Sequence, residues 1–143
     1  MIRFLVSLVL IFFSQLSVAQ QGKLTIRVSG LRSDKGEVLF SLFSSSDGFP
    51  DSPTKSTVIA KARINNGIAE VSIPDLKAGN YAVAVLHDEN SNGKMDTNLV
   101  GIPKEGYGAS RDAKGFMGPP KYEDARFSMK EPAQEISIKI NYF

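Results

Sequence analysis

The stretch Tyr81-Ala82-Val83-Ala84-Val85-Leu86-His87-Asp88-Glu89-Asn90-Ser91-Asn92-Gly93-Lys94-Met95-Asp96-Thr97-Asn98 decides how the chain is read. Its first six residues are an apolar run that reads as a central strand. The run then stops abruptly in oxygen-bearing side chains at Asp88, Asn90, Asn92 and Asp96, with Gly93 after the third. Spacing by two turns such side chains inward when a loop curls, and Gly93 permits the reversal. A buried strand ending in hard oxygens makes the rest of the chain a scaffold for that loop.

Outward from this strand the pattern stays β. Leu24, Ile26 and Val28 alternate with Thr25, Arg27 and Ser29, and Glu37–Phe43 alternates again, with Val38, Phe40 and Leu42 on one face. Ser33-Asp34-Lys35-Gly36 between them reads as a hairpin turn. Thr57–Ile64 is a third strand. Asn65-Asn66-Gly67 suits a type I′ turn, because its residues tolerate positive φ. Ile68–Ile73 is a fourth strand, with a turn at Pro74–Gly79. Ala125–Met129 and Gln134–Phe143 supply the last two. Between Asp88 and Asp124 no strand or helix pattern holds. Leu99, Val100, Ile102, Tyr107, Phe116, Met117 and Tyr122 read as anchors that keep this segment ordered. Phe49, alone in a polar loop, reads as a plug folded back on the core. Seven strands, short turns and no helix predict an all-β fold, a seven-stranded antiparallel β-sandwich with one long ordered loop before the last two strands. The form is immunoglobulin-like or prealbumin-like; a small barrel is the alternative.

The chain has 143 residues and no cysteine. Arg3, the apolar run Phe4–Phe13 and the small residues Ser17-Val18-Ala19 read as a secretory signal peptide over residues 1–19. Residues 20–143 would then form a single domain in the periplasm or the medium. No later stretch is long and apolar enough to span a bilayer. The absence of cysteine excludes a disulfide framework. Without Arg3, 16 basic residues face 15 acidic ones, a balance that argues against nucleic acid as a partner.

The loop offers calcium Asp88, Asn90, Asn92, the Lys94 backbone carbonyl and Asp96. An EF-hand would close with Glu at the twelfth position, where Leu99 stands. Asn98, Glu105, Asp124 or water could complete the shell. Two carboxylates predict modest affinity, about 10⁻⁴ to 10⁻³ M as in extracellular modules. The same residues also form Asx-turns without metal. His87, the single histidine, is either a general base with Asp88 or Glu105 beside it or a hydrogen-bonded structural residue. Ser110 and Thr97 could meet it only in space. Lys104, Glu105 and Arg111 either line a pocket or solvate the loop.

Two resemblances follow from longer motifs. Ile73-Pro74-Asp75-Leu76-Lys77-Ala78-Gly79-Asn80-Tyr81 resembles the corresponding stretch of prealbumin-like sandwiches, which implies a buried tyrosine strand. His87–Asp96, Gly101-Ile102-Pro103-Lys104-Glu105-Gly106-Tyr107-Gly108, Gly118-Pro119-Pro120 and Glu123-Asp124-Ala125 together resemble the bacterial family called domain of unknown function 2141. Ala109 departs from it, where an aromatic is expected before Ser110. The resemblance implies an exported β-rich domain and assigns no catalytic residue. The expected function is an exported, non-catalytic binding or accessory domain with a calcium-ordered loop. Tyr107, Phe116 and Tyr122 would present its recognition surface to a protein or glycan ligand. A small envelope hydrolase using His87, and a structural envelope protein, are the competing readings.

Overall fold

The computed structural model describes residues 21–143. The signal peptide expected over residues 1–19 lies outside them. Eight strands form two packed sheets: β1 (Gln21–Ser29), β2 (Glu37–Phe43), β3 (Val58–Arg63), β4 (Ala69–Lys77), β5 (Gly79–Asp88), β6 (Gly106–Ala109), β7 (Phe127–Met129) and β8 (Ala133–Lys139). The smaller sheet has the order β4-β1-β8 and the larger β3-β2-β5-β6, with β7 pairing the start of β5. The β-sandwich predicted from alternation is the fold observed. Leu24, Ile26 and Val28 from one sheet meet Val38, Phe40, Leu42, Val83 and Val85 from the other in one buried cluster.

Four sequence expectations are corrected in detail. First, β1 and β2 are not a hairpin: β1 pairs with β4 and β8, and β2 with β3 and β5. Each strand carries a full apolar face. Stacking buries the two faces directly against each other, whereas a hairpin would set them side by side in one sheet and leave both to be covered by other strands. The chain crosses between sheets through residues 30–36, with Leu31 buried at the corner. Second, β1 and β8 run parallel, so the sandwich is not wholly antiparallel. Third, β4 continues through Pro74 to Lys77. Lys23 on β1 faces both Pro74 and Asp75, a bulge with Asp75 at φ 58°. Proline is tolerated there because β4 is an edge strand. Fourth, Gly106–Ala109 is a strand inside the segment that showed no pattern. Glycines hid it from periodicity, and packing requires them. A Cβ on Gly106 would lie 2.5 Å from Ile140 Cγ2, and one on Gly108 2.9 Å from Ile138 Cγ2.

The Asn65-Asn66-Gly67 turn forms as expected, with φ 51° at Asn66 and 73° at Gly67. Asp34 accepts both of these N–H groups, at 2.9 and 2.8 Å, tying one sheet crossing to the other. Tyr81 is buried and donates its hydroxyl to Lys77 O at 2.8 Å, so the tyrosine strand is held as the resemblance implied. Phe49 does fold back. It meets Phe43 edge-on at 5.3 Å and Tyr122 at 5.9 Å. With Ala82, Ala109 and Ala125 these rings make a second, smaller core on the outer face of the larger sheet. Tyr122 opens a single helical turn, Tyr122–Ala125, so the strand expected over Ala125–Met129 is shortened to Phe127–Met129.

Candidate functional site

Alternation along β5 points His87 inward with Val83 and Val85, and the last residue, Asp88, ends the strand fully buried. Burying a carboxylate requires partners. Asp88 has them in the loop it opens: Oδ1 accepts from Asn92 N–H at 3.1 Å and Oδ2 from Gly93 N–H at 2.7 Å. The loop is therefore curled back on its own first residue, as the spacing predicts. Gly93 has φ 81°, the conformation the reversal needs. On the other side of Asp88, Gly36 packs flush: a Cβ there would overlap Asp88 O at 1.9 Å.

The remaining oxygen-bearing side chains share a centre. The Asn90 and Asn92 amides both donate to Asp96, the latter at 2.9 and 3.0 Å. These bonds hold the Asp96 carboxyl below its ordinary range, Asn92 contributing first and Asn90 second, with Lys94 and Lys104 adding positive field. The amide oxygens face the backbone instead. Asn90 Oδ1 accepts from Asn92 N–H at 3.2 Å and Asn92 Oδ1 from Lys94 N–H at 3.0 Å. Asx-turn bonding and the meeting of three side chains occur in one loop, with the Asn amide N–H₂ groups rather than their oxygens turned to Asp96.

Glu105 is 4 % exposed and closes the loop from behind. Its two oxygens accept from Glu89 N–H at 2.9 Å and Asp96 N–H at 3.0 Å, bridging the two arms. With both oxygens engaged on backbone N–H groups, as those of Asp88 are, it acts as a strut between the two arms. Asn98 is likewise a turn former, accepting from Val100 and Ile102 N–H at 3.0 and 2.9 Å. Asp124 lies on the helical turn that packs near Asn80, at the far end of β5.

His87 is fully buried with both ring nitrogens engaged. Lys35 O is acceptor only, so Nε2 donates to it at 2.8 Å, and Nδ1 then accepts from the Tyr142 hydroxyl at 2.7 Å. The Tyr142 oxygen in turn accepts from Arg32 N–H at 3.1 Å. Burial raises the Tyr142 phenol above its ordinary range. A base needs a free lone pair and a path to substrate. His87 has neither, and Ser110 is spent elsewhere, accepting from Val83 N–H at 2.9 Å and donating to Ala125 O at 2.6 Å. This geometry gives no support to the His87 hydrolase reading.

Sequence reasoning missed Arg32 and Tyr142. Arg32 grips Glu89 with two nitrogens, one at 3.1 Å, donates to Lys104 O at 3.1 Å, and lies 4.5 Å over the Tyr142 ring. The side-chain hydrogen bond from Arg32 is the first cause of a lowered Glu89 carboxyl. Chain separations of 57 and 110 residues left no local signal for these contacts.

Of the expected recognition surface, only part is exposed. Tyr122 is buried in the second core, and Tyr107 stacks on Phe143 at 5.7 Å. Phe116 is exposed. Four supposed anchors, Leu99, Val100, Phe116 and Met117, are 107, 78, 95 and 94 % exposed, so they do not anchor the segment; around Asn98 polar bonds hold it instead.

The model of a bacterial family of uncharacterized proteins, domain of unknown function 2141, matches residues 26–137. The chain belongs to that family. The match runs from β1 into β8 and takes in the whole oxygen-rich loop. No curated protein matches the chain. A solved pilus-presented adhesin aligns at 14 % identity and a TM-score of 0.25, over 88 % of this chain and 28 % of its own. The chain thus spans little more than a quarter of that adhesin, and at this similarity the alignment carries no argument.

Among the described residues no three His, Cys, Asp or Glu side chains converge as a metal set. A calcium site here must therefore draw on amide and backbone oxygens. The donor chemistry fits a hard cation, and a half-turn of each Asn amide exchanges its donor for its acceptor beside Asp96.

Proposed function

We propose that the protein is an exported, non-catalytic binding or accessory domain whose Asp88–Asn98 loop takes calcium. Asp88, Asn90, Asn92, the Lys94 carbonyl and Asp96 would hold the ion. The observation that carries this reading is the meeting of the Asn90, Asn92 and Asp96 side chains at one point, on a turn already closed by Asp88 and Gly93. The bound ion would replace the Asn–Asp96 hydrogen bonds with coordination. It would also stiffen residues 94–103, which lead to the exposed apolar surface. Losing two Asx-turn bonds opposes binding, which keeps the expected affinity weak, about 10⁻⁴ to 10⁻³ M. Export rests on the N-terminal pattern of Arg3, Phe4–Phe13 and Ser17-Val18-Ala19.

Calorimetric titration of the protein with calcium tests the reading. At calcium tenfold above the dissociation constant, linkage gives about 1.4 kcal/mol of stabilisation and a measurable rise in melting temperature. Asp96→Asn should abolish both effects. Neither heat nor a melting shift at about 10 mM calcium would leave the loop as an Asx-turn structure with no ion.

A further inference from the structure

The second core stops halfway across the outer face of the larger sheet. Phe43, Ala82 and Ala109 are covered by Phe49, Tyr122 and Ala125. Past Ser41 and Ala84 on the same strands, Leu39, Leu86 and Tyr107 also face outward, adjacent through the pairs Leu39↔Leu86 and Leu86↔Tyr107; all three are half-buried, with Phe143 stacked on Tyr107. They floor a groove of about 550 Å³. This volume lies in the range of small-ligand sites, about 300 to 1,000 Å³. Its walls come from the Gly93–Pro103 segment on one side and from Pro50, Pro119 and Pro120 on others.

The lining selects among occupants by hydrogen bonding. The floor strands spend their backbone groups on the β2–β5–β6 ladder, and prolines offer no N–H. A peptide or a sugar would lose bonds to water here and regain them chiefly from the Ser41 and Thr97 hydroxyls, the two charged side chains and the loop backbone, at a cost for each group left unpaired. An acyl chain asks for none. Lys94 is the single cationic side chain among the lining residues and Asp51 the single anionic one. An acidic end group is therefore favoured at the Lys94 end. Beyond the mouth a second depression shares Gly101, Tyr107 and Phe143 with the first and continues past Val100 and Met117. These exposed apolar tips extend the greasy track outward. Apolar exposure clustered in this way marks binding surfaces, whereas single exposed residues do not.

We propose that the groove between the outer face of β2–β5–β6 and the Gly93–Pro103 segment binds one long-chain carboxylate, its chain on Leu39 and Leu86 and its acid at Lys94. The site does not rest on the calcium reading, so its test is run in EDTA. Dodecanoate, kept below its micelle threshold, is titrated calorimetrically into the full protein, with dodecanol as the matched neutral chain. The expected result is saturable binding of one dodecanoate per chain. Leu86→Glu should weaken it by at least about tenfold, by setting a charge beneath the chain. Leu39→Gln, a milder change at a half-buried position, should weaken it less while the melting temperature holds. Lys94→Gln should cost dodecanoate about threefold and leave dodecanol unchanged. No saturable binding, or binding undiminished in both floor variants, overturns the proposal. So does a dimer seen by light scattering that Leu86→Glu dissolves, because a second copy would then be the cover.

Discussion

The two ends of β5 are closed by opposite means. At the Tyr81 end, Phe43, Phe49 and Tyr122 meet ring against ring over Ala82. At the Asp88 end two buried carboxylates, Asp88 and Glu105, gather four backbone N–H groups, and Arg32, His87 and Tyr142 complete a polar chain. Apolar closure tolerates approximate fit, because burial depends on area more than direction. Polar closure does not, since each unmatched donor or acceptor in a buried place carries its full desolvation cost. The polar end is thus the one that can present a shaped set of oxygens, and the apolar end the one that supplies stability.

The largest effect should come from the apolar end. Phe43→Ala removes the hub of the second core and should cost about 3–5 kcal/mol in denaturant unfolding. A loss under about 1 kcal/mol would mean that this core does not hold the outer face. Next is Glu105→Ala at the polar end, which orphans the Glu89 and Asp96 N–H groups and should cost about 2–3 kcal/mol. Amide exchange at those two residues should quicken, while Tyr81 and Val83 keep their protection. His87→Phe keeps a ring in place but strips partners from Lys35 O and Tyr142, for about 1–2 kcal/mol. Unchanged stability there would show that the polar chain is ornamental to the fold.

The smallest effect is a pH dependence. Glu89 is lowered in the folded state, chiefly by its hydrogen bond from Arg32. The folded form therefore binds fewer protons than the unfolded chain as the pH approaches the carboxylate range. Its contribution is fully present above the ordinary Glu value of about 4.3 and is lost as pH falls through the lower folded value. For a half-exposed pair the size is about 1 kcal/mol or less. Urea unfolding at pH 7 and pH 3 should differ less in Glu89→Gln than in the parent, by about that amount.

The same contrast explains what the sequence made legible. Strand faces such as Leu24/Ile26/Val28 and Ile138/Ile140 announce themselves by alternation, and so the sandwich was readable. The plug Phe49 was readable because an aromatic has few other uses in a polar loop. The curl of Asp88 onto Gly93 followed from spacing. Sheet membership did not follow: Ser33–Gly36 looks like a hairpin turn, and only the need to bury two faces sends it across the sandwich. Strand β6 stayed hidden because Gly106 and Gly108 answer to Ile138, Ile140 and Tyr142, far along the chain. Glu105 looked like a ligand or a solvated acid. Its role as a strut depends on two N–H groups whose directions no residue pattern encodes.

The most direct test of the central claim is an amide-resolved NMR titration of the protein with calcium up to about 10 mM, the upper reach of weak extracellular sites. The account predicts saturable shifts centred on Asn90, Asn92, Lys94 and Asp96, with the Glu89 and Gly93 amides protected from exchange before any calcium is added. Shifts absent throughout, or Glu89 and Gly93 amides that exchange freely without the ion, would contradict a loop prebuilt by Asp88 and Glu105 to receive it.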